Sequence, residues 1–168
     1  MVKKMLPGLI LFCVVITGCL KNDTKCRYVD SQAIAPTTET DSLKEVLADS
    51  GITVSQHPSG FFYKISGAGS GMGITNLCSN VTVSFKGRYF NGQVFDSTAT
   101  GSVVTVQLGQ VIVGWQKGLP LISKGGDITL FIPPSLGYGA NAITDTQGNV
   151  LIPASSYLIF VIHVVDIQ

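Results

Sequence analysis

Alternating apolar and polar positions dominate the chain beyond residue 80. Residues 80–89 (NVTVSFKGRY) set Val81, Val83 and Phe85 two apart with polar residues between them, the period of a half-buried strand. Asn91-Gly92 follows, a dipeptide suited to a tight hairpin turn, and residues 93–96 return from it. Residues 103–108 predict a further strand, residues 127–132 another that ends at Pro133-Pro134, and residues 157–167 a last one. This last run is apolar on both sides over much of its length, so it is expected in the middle of the sheet with both faces covered. Upstream, residues 61–65 (FFYKI) read as a strand. Before them a short helix is expected, with Leu43, Val46 and Leu47 on one face, Asp41 or Thr40 as its cap and Gly51 as its stop.

Between residues 108 and 119 the period changes. Val111 and Ile112 lead through Gly114 into Trp115, and Leu119 lies four residues on, one helical turn away. Pro120 and Gly125-Gly126 prevent a longer helix. The whole pattern predicts an α+β fold, a curled antiparallel β-sheet wrapped over one short α-helix. Trp115, the single Trp of the chain, is then either core filling or the floor of a pocket.

The first residues follow a different logic. Lys3 and Lys4 precede an apolar run over residues 6–16 and the small-residue site Thr17-Gly18-Cys19, the layout of an export signal. The run is too short to span a bilayer as a helix. Val15-Ile16-Thr17-Gly18-Cys19 also resembles a bacterial lipobox, which implies a lipid on Cys19 and attachment to the membrane in the cell envelope, on its periplasmic or outer-membrane side. The expected organisation is a lipoprotein signal peptide over residues 1–18, a tether with one short helix over 19–58, and the functional domain over 59–168.

Composition narrows the chemistry. Charged residues are 12% of the chain and the formal net charge is +1, which gives no electrostatic case for nucleic acid or an anionic surface. Membrane contact is therefore expected only through the lipid. Cys13 leaves with the signal and Cys19 carries the lipid, which leaves Cys26 and Cys78 as either a disulfide or two separate thiols. No Cys-x-x-Cys spacing occurs, and His57 and His163 read as surface residues, so no metal or cofactor is expected. The glycines of residues 67–73 lack the Lys-Ser/Thr and the helix of a phosphate loop.

A resemblance joins these segments. Val83-Ser84-Phe85-Lys86-Gly87, Asn91-Gly92-Gln93-Val94-Phe95-Asp96-Ser97, the stretch from Leu108 through Val111-Ile112-Val113-Gly114-Trp115, Ile132-Pro133-Pro134, Tyr138-Gly139, Ile152-Pro153 and Leu158-Ile159-Phe160 resemble, in order, the motifs of FKBP-type peptidyl-prolyl cis-trans isomerases. The resemblance implies one apolar pocket with Trp115 as floor, Phe95, Val111, Ile112, Tyr138, Ile152 and Phe160 as walls, and Asp96 as its acidic group. It also implies that the Ile112 N–H and the Tyr138 hydroxyl donate to the bound ligand. Phe85 stands where the family usually has Tyr, Val104 stands near a position that is often aromatic, and the loop of residues 139–151 is longer and more polar than in compact members. The implied partners are proline-containing polypeptides and rapamycin-like macrolides, the implied state a monomer. A non-catalytic FKBP-like binding module held by lipid is the alternative reading.

Overall fold

A computed structural model describes residues 26–168. The expected signal peptide, the lipobox-like segment and Cys19 lie outside the described residues. Helix α1 (Thr37–Asp49) is followed by strands β1 (Ser55–Gln56), β2 (Phe62–Gly67), β3 (Asn80–Tyr89), β4 (Val94–Ser97) and β5 (Val104–Gln107), and then by helix α2 (Val113–Gly118). Strands β6 (Asp127–Ile132), β7 (Ile143–Thr144), β8 (Val150–Ile152) and β9 (Leu158–Ile167) complete the chain. The main sheet runs β1-β2-β6-β9-β3-β4, with β5 also paired to β3, and every pairing is antiparallel. Its inner face closes over α2, as the alternation of the strands predicts.

The last strand is central, between β6 and β3. Its two faces are both covered only over the first three residues. Phe160, Ile162 and Val164 enter the inner core, whereas on the outer face Ile159 is covered and Val161 is 45% exposed. The cover over Ile159 is α1, whose Leu43 and Leu47 pack on Phe62, Phe131 and Ile159, residues that sit side by side on β2, β6 and β9. The apolar face of α1 differs from the expected one. Thr40, Leu43 and Leu47 are buried, while Val46 turns to solvent at 44% exposure. The cap differs too. Pro36 starts the helix with no side-chain cap, so Thr40 lies inside it, its hydroxyl donating to the Gly60 carbonyl at 3.4 Å. Proline fixes φ near its helical value, and the first turn starts four residues earlier than a cap at Thr40 would place it.

The described part of the expected tether lies against the domain. Cys26 is disulfide-bonded to Cys78, the Tyr28 ring covers Gly109, and Ala35 is buried with its N–H donating to the Ser59 carbonyl at 2.9 Å. The polar loop of residues 139–151 also carries structure, the β7–β8 hairpin. The Asp145 carboxylate closes it, accepting from the backbone N–H groups of Gln147 and Asn149 at 2.9 Å each.

Gly114 sets how closely α2 approaches the sheet. A Cβ there would stand 2.6 Å from Ile132 Cδ1, and Ile132 is fully buried with nowhere to move. Gly114→Ala gains helix propensity of up to about 1 kcal/mol but overpacks the core at about 1–3 kcal/mol. The expected net result is a destabilised protein, read as a lowered melting temperature by circular dichroism; an unchanged or raised value would contradict this packing.

Candidate functional site

A single turn of 3-10 helix (Leu108–Gln110) carries the chain from β5 to Val111 and Ile112, which remain extended until α2 begins. Trp115, on the first turn of α2, is thereby set against the inner core of the sheet. Phe85 of β3 and Phe160 of β9 meet its ring edge-on, at centroid distances of 5.3 and 5.2 Å and interplanar angles of 83° and 88°. Edge-to-face contacts of this kind direct the positive ring edge at the negative ring face and fix all three planes.

A cleft of about 340 Å³ opens above Trp115. It brings together Phe85, Asp96, Val104, Val111, Ile112, Trp115, Tyr138 and Phe160 from six separate segments. Two residues implied by the family motifs do not line it. Phe95 stands one ring further back, edge-on to Phe160 at 5.5 Å and tilted against Tyr89 at 4.9 Å. Gly87 makes that position available, since a Cβ there would lie 2.7 Å from the Phe95 ring and 2.9 Å from the Phe160 ring. Ile152 faces the inner core at 7% exposure, and the neighbouring Leu151 carbonyl accepts from the Tyr89 hydroxyl at 3.1 Å. The cleft also includes Val106 and Gln110, which the sequence reading omitted. Val106 was recoverable, because it lies two residues beyond Val104 on one strand and so shares its face; for Gln110 no sequence signal existed.

At least three other surface clefts, of about 320 to 390 Å³, match this one in size. The lining distinguishes it. The others are rimmed by Asp30, Asn76 and Gln116, by the 98–102 loop with Lys86 and His163, or by Gln32, His57 and Lys117, whereas the Trp115 cleft is walled by aromatic and branched apolar side chains. Its polar groups are few. Burial, reinforced by the Asp96 carboxylate, holds the Tyr138 hydroxyl above the ordinary tyrosine value of 10.0, so it keeps its proton and stays a donor. Among the described residues no hydrogen bond uses the Ile112 N–H, and the buried Trp115 Nε1 has no partner. The two histidines lie elsewhere: His57 stacks on Phe61, and His163 Nδ1 is 2.9 Å from Asp127 Oδ1. Among the described residues no group of three or more His, Cys, Asp and Glu is placed to hold a metal ion.

An antiparallel sheet curled over a short helix, with a Trp-floored aromatic cleft between them, defines a class, and comparison with known proteins agrees. A family model described as "FKBP-type peptidyl-prolyl cis-trans isomerase" matches residues 75–165. The chain belongs to that family. It is 46% identical over 116 residues to the FKBP-type peptidyl-prolyl cis-trans isomerase FkpA of Buchnera aphidicola (68% of this chain, 44% of the relative). It is 38% identical over 112 residues to the outer membrane protein MIP of Legionella longbeachae (66% and 46%). The crystal structure of FkpA from Escherichia coli superimposes with a TM-score of 0.65 and 32% identity, over 79% of this chain and 60% of that one. The chain thus spans less than half the length of these curated relatives.

Proposed function

We propose that the protein is a peptidyl-prolyl cis-trans isomerase that accelerates rotation about X-Pro bonds in exported polypeptides and assists their folding in the cell envelope. The observation that carries this reading is the Trp115 cleft, an aromatic site with two donors, the Ile112 N–H and the Tyr138 hydroxyl, and no nucleophile poised among its residues.

Rotation needs neither nucleophile nor metal. The planar X-Pro amide is held by resonance with a barrier of about 18–20 kcal/mol. Twisting the bond removes that resonance, and the carbonyl becomes less polar and depends less on hydration. A dry apolar cleft therefore stabilises the twisted state relative to the planar one, which is differential binding of the transition state. Proline packs on Trp115 while Val111, Ile112 and Phe160 exclude water. The two donors hold the flanking carbonyls so that the peptide enters already bent. Asp96 serves as a polar wall opposite Tyr138 rather than as an acid or base, since no His or second carboxylate lines the cleft. All of these groups come from one chain, so a monomer suffices.

The test is NMR exchange spectroscopy on an Ala-x-Pro-Phe type peptide with catalytic amounts of protein. Cis-trans cross-peaks that rapamycin suppresses support the reading; a folded sample without enhancement leaves the alternative, a binding module without catalysis. Tyr138→Phe removes one donor and is expected to lower kcat/KM roughly fivefold, the size of one net hydrogen bond. Because burial keeps Tyr138 protonated, the wild-type rate should stay flat from about pH 6 to about pH 9. A drop in rate in that range, as Tyr138 loses its proton, would contradict a hydroxyl held above its ordinary value.

Envelope attachment belongs to the same proposal. The lipobox-like segment ending at Cys19 supports it, as does similarity to a relative named an outer membrane protein. Palmitate should label the wild type and not Cys19→Ala; equal labelling removes the lipid anchor from the account.

A further inference from the structure

The Val111–Ile112 peptide is held from behind. Gln116, in the second half of α2, donates from Nε2 to the Val111 carbonyl at 2.8 Å, and its own backbone N–H donates to the Ile112 carbonyl at 3.1 Å. No other donor reaches the Val111 carbonyl among the described residues. The Val111 C=O and the Ile112 N–H belong to one trans peptide unit, in which the two groups point in opposite directions. Gln116 lines surface clefts beside Cys26, Tyr28 and Pro120 and is not among the residues that line the Trp115 cleft. A Val111 carbonyl anchored toward that far side turns the Ile112 N–H toward Trp115. The same bond polarises the peptide and makes the N–H a stronger donor.

We infer that Gln116 is a positioning residue, whose side-chain amide sets the direction of the N–H that meets the substrate carbonyl. The inference rests on the isomerase reading for what the N–H binds, and on geometry alone for where it points. The restraint is needed because residues 111 and 112 lie between the 3-10 turn and α2, with extended backbone at both (ψ 171° and 153°) and no ladder to fix the plane between them. Rotation of this one peptide plane would remove the donor without disturbing any buried side chain.

Two substitutions in the full chain test it. Gln116→Met keeps the length of the side chain and removes the donor; Gln116→Glu keeps the shape and sets a carboxylate against the Val111 carbonyl. The readouts are the amide resonance of Ile112 and kcat/KM on the proline peptide. Expected is a displaced Ile112 resonance in both variants, with the Trp115 and Phe160 ring resonances in place. The rate should fall about fivefold in Gln116→Met, one hydrogen bond's worth, and further in Gln116→Glu. An unmoved Ile112 amide in Gln116→Met, or ring resonances displaced as far as the amide, overturns the inference. The resonance decides this even if the wild type proves catalytically silent, in which case the isomerase reading fails separately.

Discussion

Trp115→Ala is expected to lower kcat/KM about thirtyfold, the equivalent of about 2 kcal/mol of transition-state stabilisation, in a protein that still folds. Trp115 is only 5% exposed, so its removal also opens a cavity, at about 3–5 kcal/mol for a large aromatic cut to Ala. The two effects have different sources. Stability suffers from lost burial and from the edge contacts to Phe85 and Phe160 at 5.3 and 5.2 Å. Catalysis suffers because water enters the cleft, and a hydrated site no longer favours the twisted amide over the planar one. Rates must therefore be taken where circular dichroism shows the variant folded. Trp115→Phe serves as the control, since it keeps an aromatic floor and should retain most of the rate. A folded Trp115→Ala protein with wild-type kcat/KM would remove this cleft as the site. The wild type offers a further check, because its single Trp makes indole fluorescence a report on this cleft when a proline peptide binds.

What the sequence made legible was the long-period pattern. Alternation over Val81, Val83 and Phe85 places β3 correctly from Asn80, and residues 127–132 coincide with β6. Asn91-Gly92 turns where a hairpin is expected, with Tyr89 N–H donating to the Gln93 carbonyl at 2.9 Å. Eight of the ten residues assigned to the pocket meet at the cleft. The elements that escaped are shorter than the period that would reveal them. β7 and β8 have two and three residues, too few for alternation to register, and depend on Asp145 for their turn. Phe95 is displaced from the cleft by a contact between rings over Gly87, which no local pattern encodes. The sequence pattern puts Val46 on the buried face of α1, but the helix begins at Thr37 and its stripe runs through Thr40, Leu43 and Leu47. Gln116 looks like an ordinary polar position on a short helix, and its bond to Val111 reaches back five residues, beyond helical pairing.

Breaking the Cys26–Cys78 bridge should cost stability, as Trp115→Ala does, but spare catalysis. Spacing alone left the pairing open, because a disulfide depends on a distance that sequence does not contain; here the Cα atoms stand 5.5 Å apart, within the range a bridge requires. The cysteines are 52 residues apart, so the cross-link removes from the unfolded chain the entropy of a long loop, about 4 kcal/mol in the chain-entropy account. The native contacts of this segment do not all depend on it. Ala35 is buried and bonded to Ser59 away from the bridge, whereas Tyr28 lies two residues from Cys26 and its ring is expected to leave Gly109 when the bridge is broken. Since neither Tyr28 nor the cysteines line the Trp115 cleft, the geometry of Trp115, Phe85 and Phe160 is expected to survive reduction. A Cys26→Ser/Cys78→Ser double variant should therefore unfold at clearly lower urea concentration than the oxidised wild type, and reductant should bring the wild type to the same midpoint. Its kcat/KM should remain close to wild type. If reductant leaves the wild-type midpoint unchanged, the bridge does not stabilise the domain. If the rate collapses with it, the strap over Gly109 supports the 108–112 segment directly, and the cleft then extends functionally as far as Tyr28.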